Sequence, residues 1–158
     1  MNPITREQWG AKDATPNYSP QKPARIILHH SATPLAVYKG VETIRTIQRY
    51  HQHHMGWQDI GYHYLIGPEG NIYEGRPSWA AGAHAKGYNR HTIGICVIGD
   101  YQAEKPTPEA LEAVKGLIVT LEALYERSLP VTGHRDNGKT LCPGDNLYKE
   151  IGGLSEAV

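Results

Sequence analysis

The chain has 158 residues, 39% hydrophobic and 20% charged, and its 16 basic and 16 acidic residues balance to a formal charge of zero. That length bounds one domain with a core of its own. The charge balance gives no electrostatic reason for a nucleic acid or anionic membrane partner, and no apolar run approaches the roughly 18 residues of a membrane span.

The elements follow from pattern. Residues 1–24 are polar, with prolines at 16, 20 and 23, and read as an N-terminal arm that wraps the body and pins Trp9. Arg25 to His30 is a short apolar strand running into Ser31-Ala32-Thr33-Pro34. Residues 41–54 carry apolar side chains at 41, 44, 47 and 50, a helical spacing that Gly56 ends. Tyr62–Ile66, a turn at Pro68-Glu69-Gly70 and Asn71–Glu74 predict a hairpin. Residues 75–91 have no period and hold Trp79, His84, Tyr88 and Asn89, the kind of long loop that carries ligand surfaces.

Residues 92–99, TIGICVIG, predict a central strand in which Cys96 is core packing. Thr107 caps a helix that starts at Pro108, runs to about 127, and buries Leu111, Val114, Leu117, Ile118, Leu121 and Leu124. A short extended segment at 130–132, a last helix over 145–151 and a tail from 152 to 158 complete the chain. This alternation predicts an α/β fold, a mixed central sheet covered by helices. The divisions expected are the arm 1–24, a catalytic body 25–151, and a tail or linker start 152–158.

The chemistry concentrates in VTGHRDNGKTLCPG, where His134 and Cys142 stand eight residues apart. With a histidine from ARIILHH they supply two imidazoles and a thiol, a set zinc accepts while keeping a fourth position for water. His29 and His30 are consecutive, so a strand points them to opposite faces, and alternation alone does not choose between them. Asp136 either orients a ligand histidine or ties down its loop. His51, His53 and His54 read as helix-end caps rather than ligands. A Cys96–Cys142 disulfide is the bland alternative for the two cysteines.

At these residues the chain resembles a known family. LHHSAT, GWQDIGYHYLIGPEGNIYEGR, GAHAKGYNRHTIGICVIGDY and GHRDNGKTLCPG are similar, in order, to the zinc-dependent N-acetylmuramoyl-L-alanine amidases. These share the fold of the peptidoglycan recognition proteins and of the small phage lysozyme-like amidase. The similarity spans about residues 4–150. It selects His29 as the strand ligand and implies one zinc ion per chain held by His29, His134 and Cys142. It places Tyr62 beside the metal-bound water and Thr140 at a second catalytic position.

The activity implied is hydrolysis of the amide between N-acetylmuramate and L-alanine of peptidoglycan. The substrate groove implied includes the 75–91 loop. There Trp79 stacks on a sugar or stem peptide, or only packs. His84 edges the site, Asn89 bonds the substrate or its own loop, and Arg76 pairs a stem carboxylate or buttresses the hairpin. His63 faces away, and Trp57 is a packing anchor. The partners expected are peptidoglycan alone, with no nucleic acid and no membrane, and the protein is expected to be a monomer. The alternatives are a binding module without turnover, or another zinc peptidoglycan hydrolase. The opening MNPITREQWGAKD lacks the apolar stretch of a secretory leader. That predicts a phage or bacterial lysin made in the cytoplasm and released to the cell wall through a holin, or else a cytoplasmic recycling enzyme.

Overall fold

The computed structural model describes residues 2–15 and 17–154. Pro16 of the expected arm and residues 155–158 of the expected tail lie outside the described residues. Five strands, β1 (Arg25–His30), β2 (Tyr64–Ile66), β3 (Ile72–Glu74), β4 (Thr92–Val97) and β5 (Val131–Gly133), form one sheet in the order β3-β2-β4-β1-β5. β4 and β5 run parallel to β1, β2 runs parallel to β4, and β3 turns back antiparallel on β2. The sheet is mixed and carries helices on both faces.

Alternation along the strands sorts two cores. Ile26, Leu28, Ile93, Ile95, Val97 and Ile66 meet α3 (Pro108–Tyr125) through Ala110, Val114, Leu117, Ile118 and Leu121. Thr107 caps α3 by accepting from the Ala110 amide. Leu124, expected in that stripe, is instead 63% exposed. The chain reverses at Glu126 and returns Leu129 to the core in its place.

On the other face, Leu65, Cys96 and Tyr73 pack with Ile44 of α2 (Val41–Arg49), Ile60 and Trp9. Trp9 ends the short helix α1 (Arg6–Trp9), is fully buried, and donates its indole N–H to the Glu74 carbonyl. Asp59, also fully buried, fastens the arm. Its carboxylate accepts from Arg6 at 2.9 Å, the Tyr18 hydroxyl, the Gln48 amide at 3.0 Å and the Ile60 amide.

Several boundaries differ from the pattern. The helix predicted to 54 stops at 49 and widens into a π turn over Tyr50–His54. Tyr62 and His63 lie before β2, because their backbone groups bond Arg76, Gly75 and Gly94 irregularly. The last helix is two short ones, α4 (Asp145–Tyr148) and α5 (Ile151–Leu154), and Leu154 is buried, so order extends past 152.

Candidate metal centre

β1 delivers His29 and His30 to opposite sides of the sheet. His30 takes the Tyr101 amide on its Nδ1 at 3.1 Å. His29 emerges on the α2 face, level with Cys96 of β4. The chain leaving β5 makes a 3-10 turn, His134–Asp136, and loops back to Cys142. The donor atoms of His29, His134 and Cys142 then all lie within 4.8 Å of one another. The His29 and His134 rings are 4.6 Å apart between centroids, and Cys142 Sγ is 3.7 Å from His29 Nδ1. Both cysteines are free thiols, so the disulfide alternative is not formed.

The loop is held mainly by side chains other than the donors, with the Cys142 sulfur taking the His30 amide at 3.4 Å. Asp136 accepts from the Gly133 amide and from the Tyr148 hydroxyl. Arg135 pairs with Asp145 at 2.9 Å, donates to the Leu141 carbonyl, and its guanidinium lies over the Tyr148 ring. Its amide also bonds the Cys142 carbonyl.

Burial sets the protonation. It holds His29 well below the ordinary histidine range, with His134, His30 and His63 adding to the effect, and it lowers His134 as well. Burial pushes the Cys142 thiol up to about 11, against the His30 backbone and Arg135. The donors are therefore two neutral imidazoles and a thiol that a cation would ionise, a set whose chemistry fits zinc.

Tyr62 leans on His29 with centroids 5.2 Å apart, and burial first, then Cys96 and Cys142, raises its phenol well above 10. His51 tilts against the other side of Tyr62, with its Nδ1 taken by the Gly61 amide at 2.9 Å. Tyr62, His51, Ser31 and Ile47 line a cavity of about 390 Å³. A second cavity of about 430 Å³ shares Thr33, Thr46 and Ile47 with it, continuing the groove along α2.

Of the remaining predicted site residues, Thr140 and His84 touch the donors, and Asn89, Arg76 and Trp79 do not. Thr140 is exposed on the loop and accepts from the Cys142 amide. His84 is buried and bonds His29 directly, at 2.8 Å. Asn89 accepts from the His84 and Ala85 amides. Arg76 is buried, donating to the Ile60 and Ala81 carbonyls. Trp79 is 52% exposed and stands edge-on to Tyr18. Pattern reading missed Thr92 and Gly94, which meet His84 from β4. The one local signal was a glycine in the middle of an otherwise apolar strand.

Residues 19–145 match the N-acetylmuramoyl-L-alanine amidase family. The chain belongs to that family. Within the amidase family, peptidoglycan-recognition protein SC2 of Drosophila melanogaster is 36% identical over 153 residues, which cover 94% of this chain and 83% of that one. Peptidoglycan recognition protein-LE, solved in complex with tracheal cytotoxin (monomeric diaminopimelic acid-type peptidoglycan), superposes with a TM-score of 0.88. It is 35% identical, covering 94% of this chain and 91% of its own. The ectodomain complex of recognition proteins LCa and LCx, bound to tracheal cytotoxin, gives a TM-score of 0.89 at 33% identity, over 96% of this chain and 95% of that one.

These relatives correct the expected setting. They are recognition proteins, one from an insect and one an ectodomain complex, so the phage-lysin localisation with holin release or cytoplasmic recycling is not supported. Among the described residues of this amidase-family chain, no helix is long and apolar enough to cross a membrane.

Proposed function

We propose that this protein is a zinc-dependent N-acetylmuramoyl-L-alanine amidase acting on peptidoglycan. The observation that carries the reading is the convergence of His29, His134 and Cys142 within 4.8 Å, against Tyr62, which lines the groove. His29, His134 and Cys142 would hold one zinc ion, which when bound would supply Lewis-acid polarisation of the scissile carbonyl and activation of a water.

The chain's own residues supply position and hydrogen bonds. Tyr62 keeps its proton at neutral pH, so it donates to the developing oxyanion or orients the attacking water rather than acting as a base. Thr140, at the mouth of the loop, is the second donor. The groove along α2 binds the glycan and stem peptide, while Trp79, which lines a separate cavity beside Arg76 and Ser78, offers stacking area apart from it. Arg76 and Asn89, whose polar atoms are engaged with backbone, act by shaping the substrate loop. Residues 25–151 form the catalytic body, the arm packs on it, and the protein acts as a monomer.

Recognition without turnover is the second reading, favoured by the names of the relatives. Mass spectrometry of products released from purified peptidoglycan separates the two. Intact stem peptides with a free L-alanine amino group, lost on chelation and restored by zinc, are expected. Binding of peptidoglycan with no release, in zinc-loaded protein, establishes the recognition reading.

A further inference from the structure

His84 is buried behind His29, and both of its ring nitrogens are taken by the protein. Nδ1 is 2.8 Å from His29 Nε2, and Nε2 is 3.2 Å from Thr92 Oγ1. The proton positions along this chain can be worked out from its far end. Thr92 Oγ1 lies 2.6 Å from the Tyr88 carbonyl, which has no proton to give, so the hydroxyl donates there. Its single proton spent, Thr92 can only accept from His84, and His84 therefore carries its proton on Nε2. A neutral imidazole has one N–H, so His84 Nδ1 accepts, and the donor is His29 Nε2–H. The lone pair of His29 is then left on Nδ1, the atom that faces Cys142 Sγ at 3.7 Å.

The geometry points to His84 and Thr92 as positioning residues that lock His29 into the one tautomer able to bind metal at this centre. The inference rests on the metal reading above and deepens it. A ligand histidine whose other N–H is held by an acceptor has its ring orientation fixed and its donor nitrogen made more basic. Here the acceptor is a second imidazole, itself fixed from behind by a hydroxyl and a main-chain carbonyl.

The fold is built to seat that ring. A Cβ on Gly94 would stand 2.5 Å from His84 Cγ, and one on Gly82 would stand 2.6 Å from His84 Cδ2. Two glycines, one in the middle of β4 and one in the substrate loop, thus open a slot the width of an imidazole. His63 closes its end, with rings 5.7 Å apart edge to face, and is fixed by the Gly94 amide on Nδ1 and the Ala80 carbonyl on Nε2. Asn89 pins the backbone of His84 by accepting its amide.

The test uses long-range proton–nitrogen NMR of the metal-free protein and zinc affinity measured by chelator competition. In wild type, His29 and His84 are each expected to show a single tautomer protonated at Nε2. His84→Phe fills the slot without an acceptor and is expected to weaken zinc binding about 10- to 100-fold. His84→Gln supplies a carbonyl to His29 and an amide to Thr92, and is expected to recover most of that loss. Thr92→Val removes the anchor alone and is expected to mix the His84 tautomers and weaken zinc about 10-fold.

A wild-type His29 protonated at Nδ1, or a folded His84→Phe with wild-type zinc affinity, overturns the inference and leaves the metal reading standing. Wild type that binds no zinc overturns both. If His84→Phe does not fold, the wild-type tautomers and Thr92→Val decide the matter, and unchanged tautomers and affinity in Thr92→Val overturn the proposal.

Discussion

Gly94 and His84 share one space: the imidazole lies where any side chain at 94 would be, 2.5 Å from the ideal Cβ position. The centre of the sheet has given up a core side chain so that a loop histidine can reach His29. Gly94→Ala is expected to push the ring out of its slot. Overpacking of this kind costs about 1–3 kcal/mol, read by urea unfolding. Zinc affinity should fall with it. In a His84→Ala background the penalty at 94 should shrink, and a double-mutant cycle showing simple additivity would contradict the shared-space account.

Cys142→Ser tests the donor set directly. Serine is a poor zinc ligand at neutral pH, so bound zinc and amide hydrolysis are both expected to be almost entirely lost. Metal content by mass spectrometry after dialysis is the measurement. Full zinc occupancy with full activity would remove Cys142 from the centre.

Tyr62→Phe should separate binding from chemistry. The ring packing against His29 and His51 is retained, while the hydroxyl is lost. Zinc content is expected to stay at wild-type level and kcat to fall roughly 100-fold, the usual scale for one lost oxyanion donor. An unchanged kcat assigns Tyr62 to packing alone.

The buried histidines make stability pH-dependent. Burial lowers His51 and His63 from 6.5 to about 4. The native state therefore binds fewer protons than the unfolded chain between these values, and stability rises with pH there. The contribution is complete above about 6.5 and is lost as pH falls toward 4, on the order of 5 kcal/mol for the two rings. Urea melts of metal-free protein from pH 7.5 to 4.5 should show this decline. A flat profile would mean that the rings stay solvated.

Asp59 predicts how the arm is held. Every polar contact to its buried carboxylate is a donor, and two of them, Arg6 and Tyr18, come from the arm. Asp59→Ala removes the shared acceptor of Arg6, Tyr18 and Gln48, while Arg6 keeps the Gly75 and Lys12 carbonyls, and is expected to cost about 3 kcal/mol, a fall in Tm of roughly 10 °C. Hydrogen exchange should show residues 4–12 losing protection first. Uniform exchange changes across the sheet would argue against a local fastening.

What the sequence disclosed follows from the range of its signals. The apolar run at 25–30 and the capped helix from Pro108 were legible because periodicity and capping act between near neighbours. The π turn at 50–54 was not, since widening a helix by one residue per turn barely disturbs an i, i+3 stripe. His134 and Cys142, eight residues apart, stood out as donors with one histidine of the 29/30 pair, and motif resemblance was needed only to choose His29. The His29–His84 contact joins positions 55 apart in the chain, and the contact of Asp59 with Arg6 joins positions 53 apart. Such pairings are set by strand order, which no local pattern encodes. For Arg76 and Asn89 the pattern left a substrate contact and a structural role open, and both side chains engage backbone groups.

The loop that carries Cys142 is braced by Arg135 and Asp136 through Asp145, Tyr148, Gly133 and Leu141, and the Cys142 sulfur adds only a long contact from the His30 amide, at 3.4 Å. The contacts that hold the loop and the atoms that would hold a metal are thus largely separate. A lineage can exchange Cys142 for an inert residue and keep the wall of the groove in place. If the proposed hydrolysis holds, one codon change at Cys142 would end turnover while leaving the walls of the groove, and whatever they bind, in place.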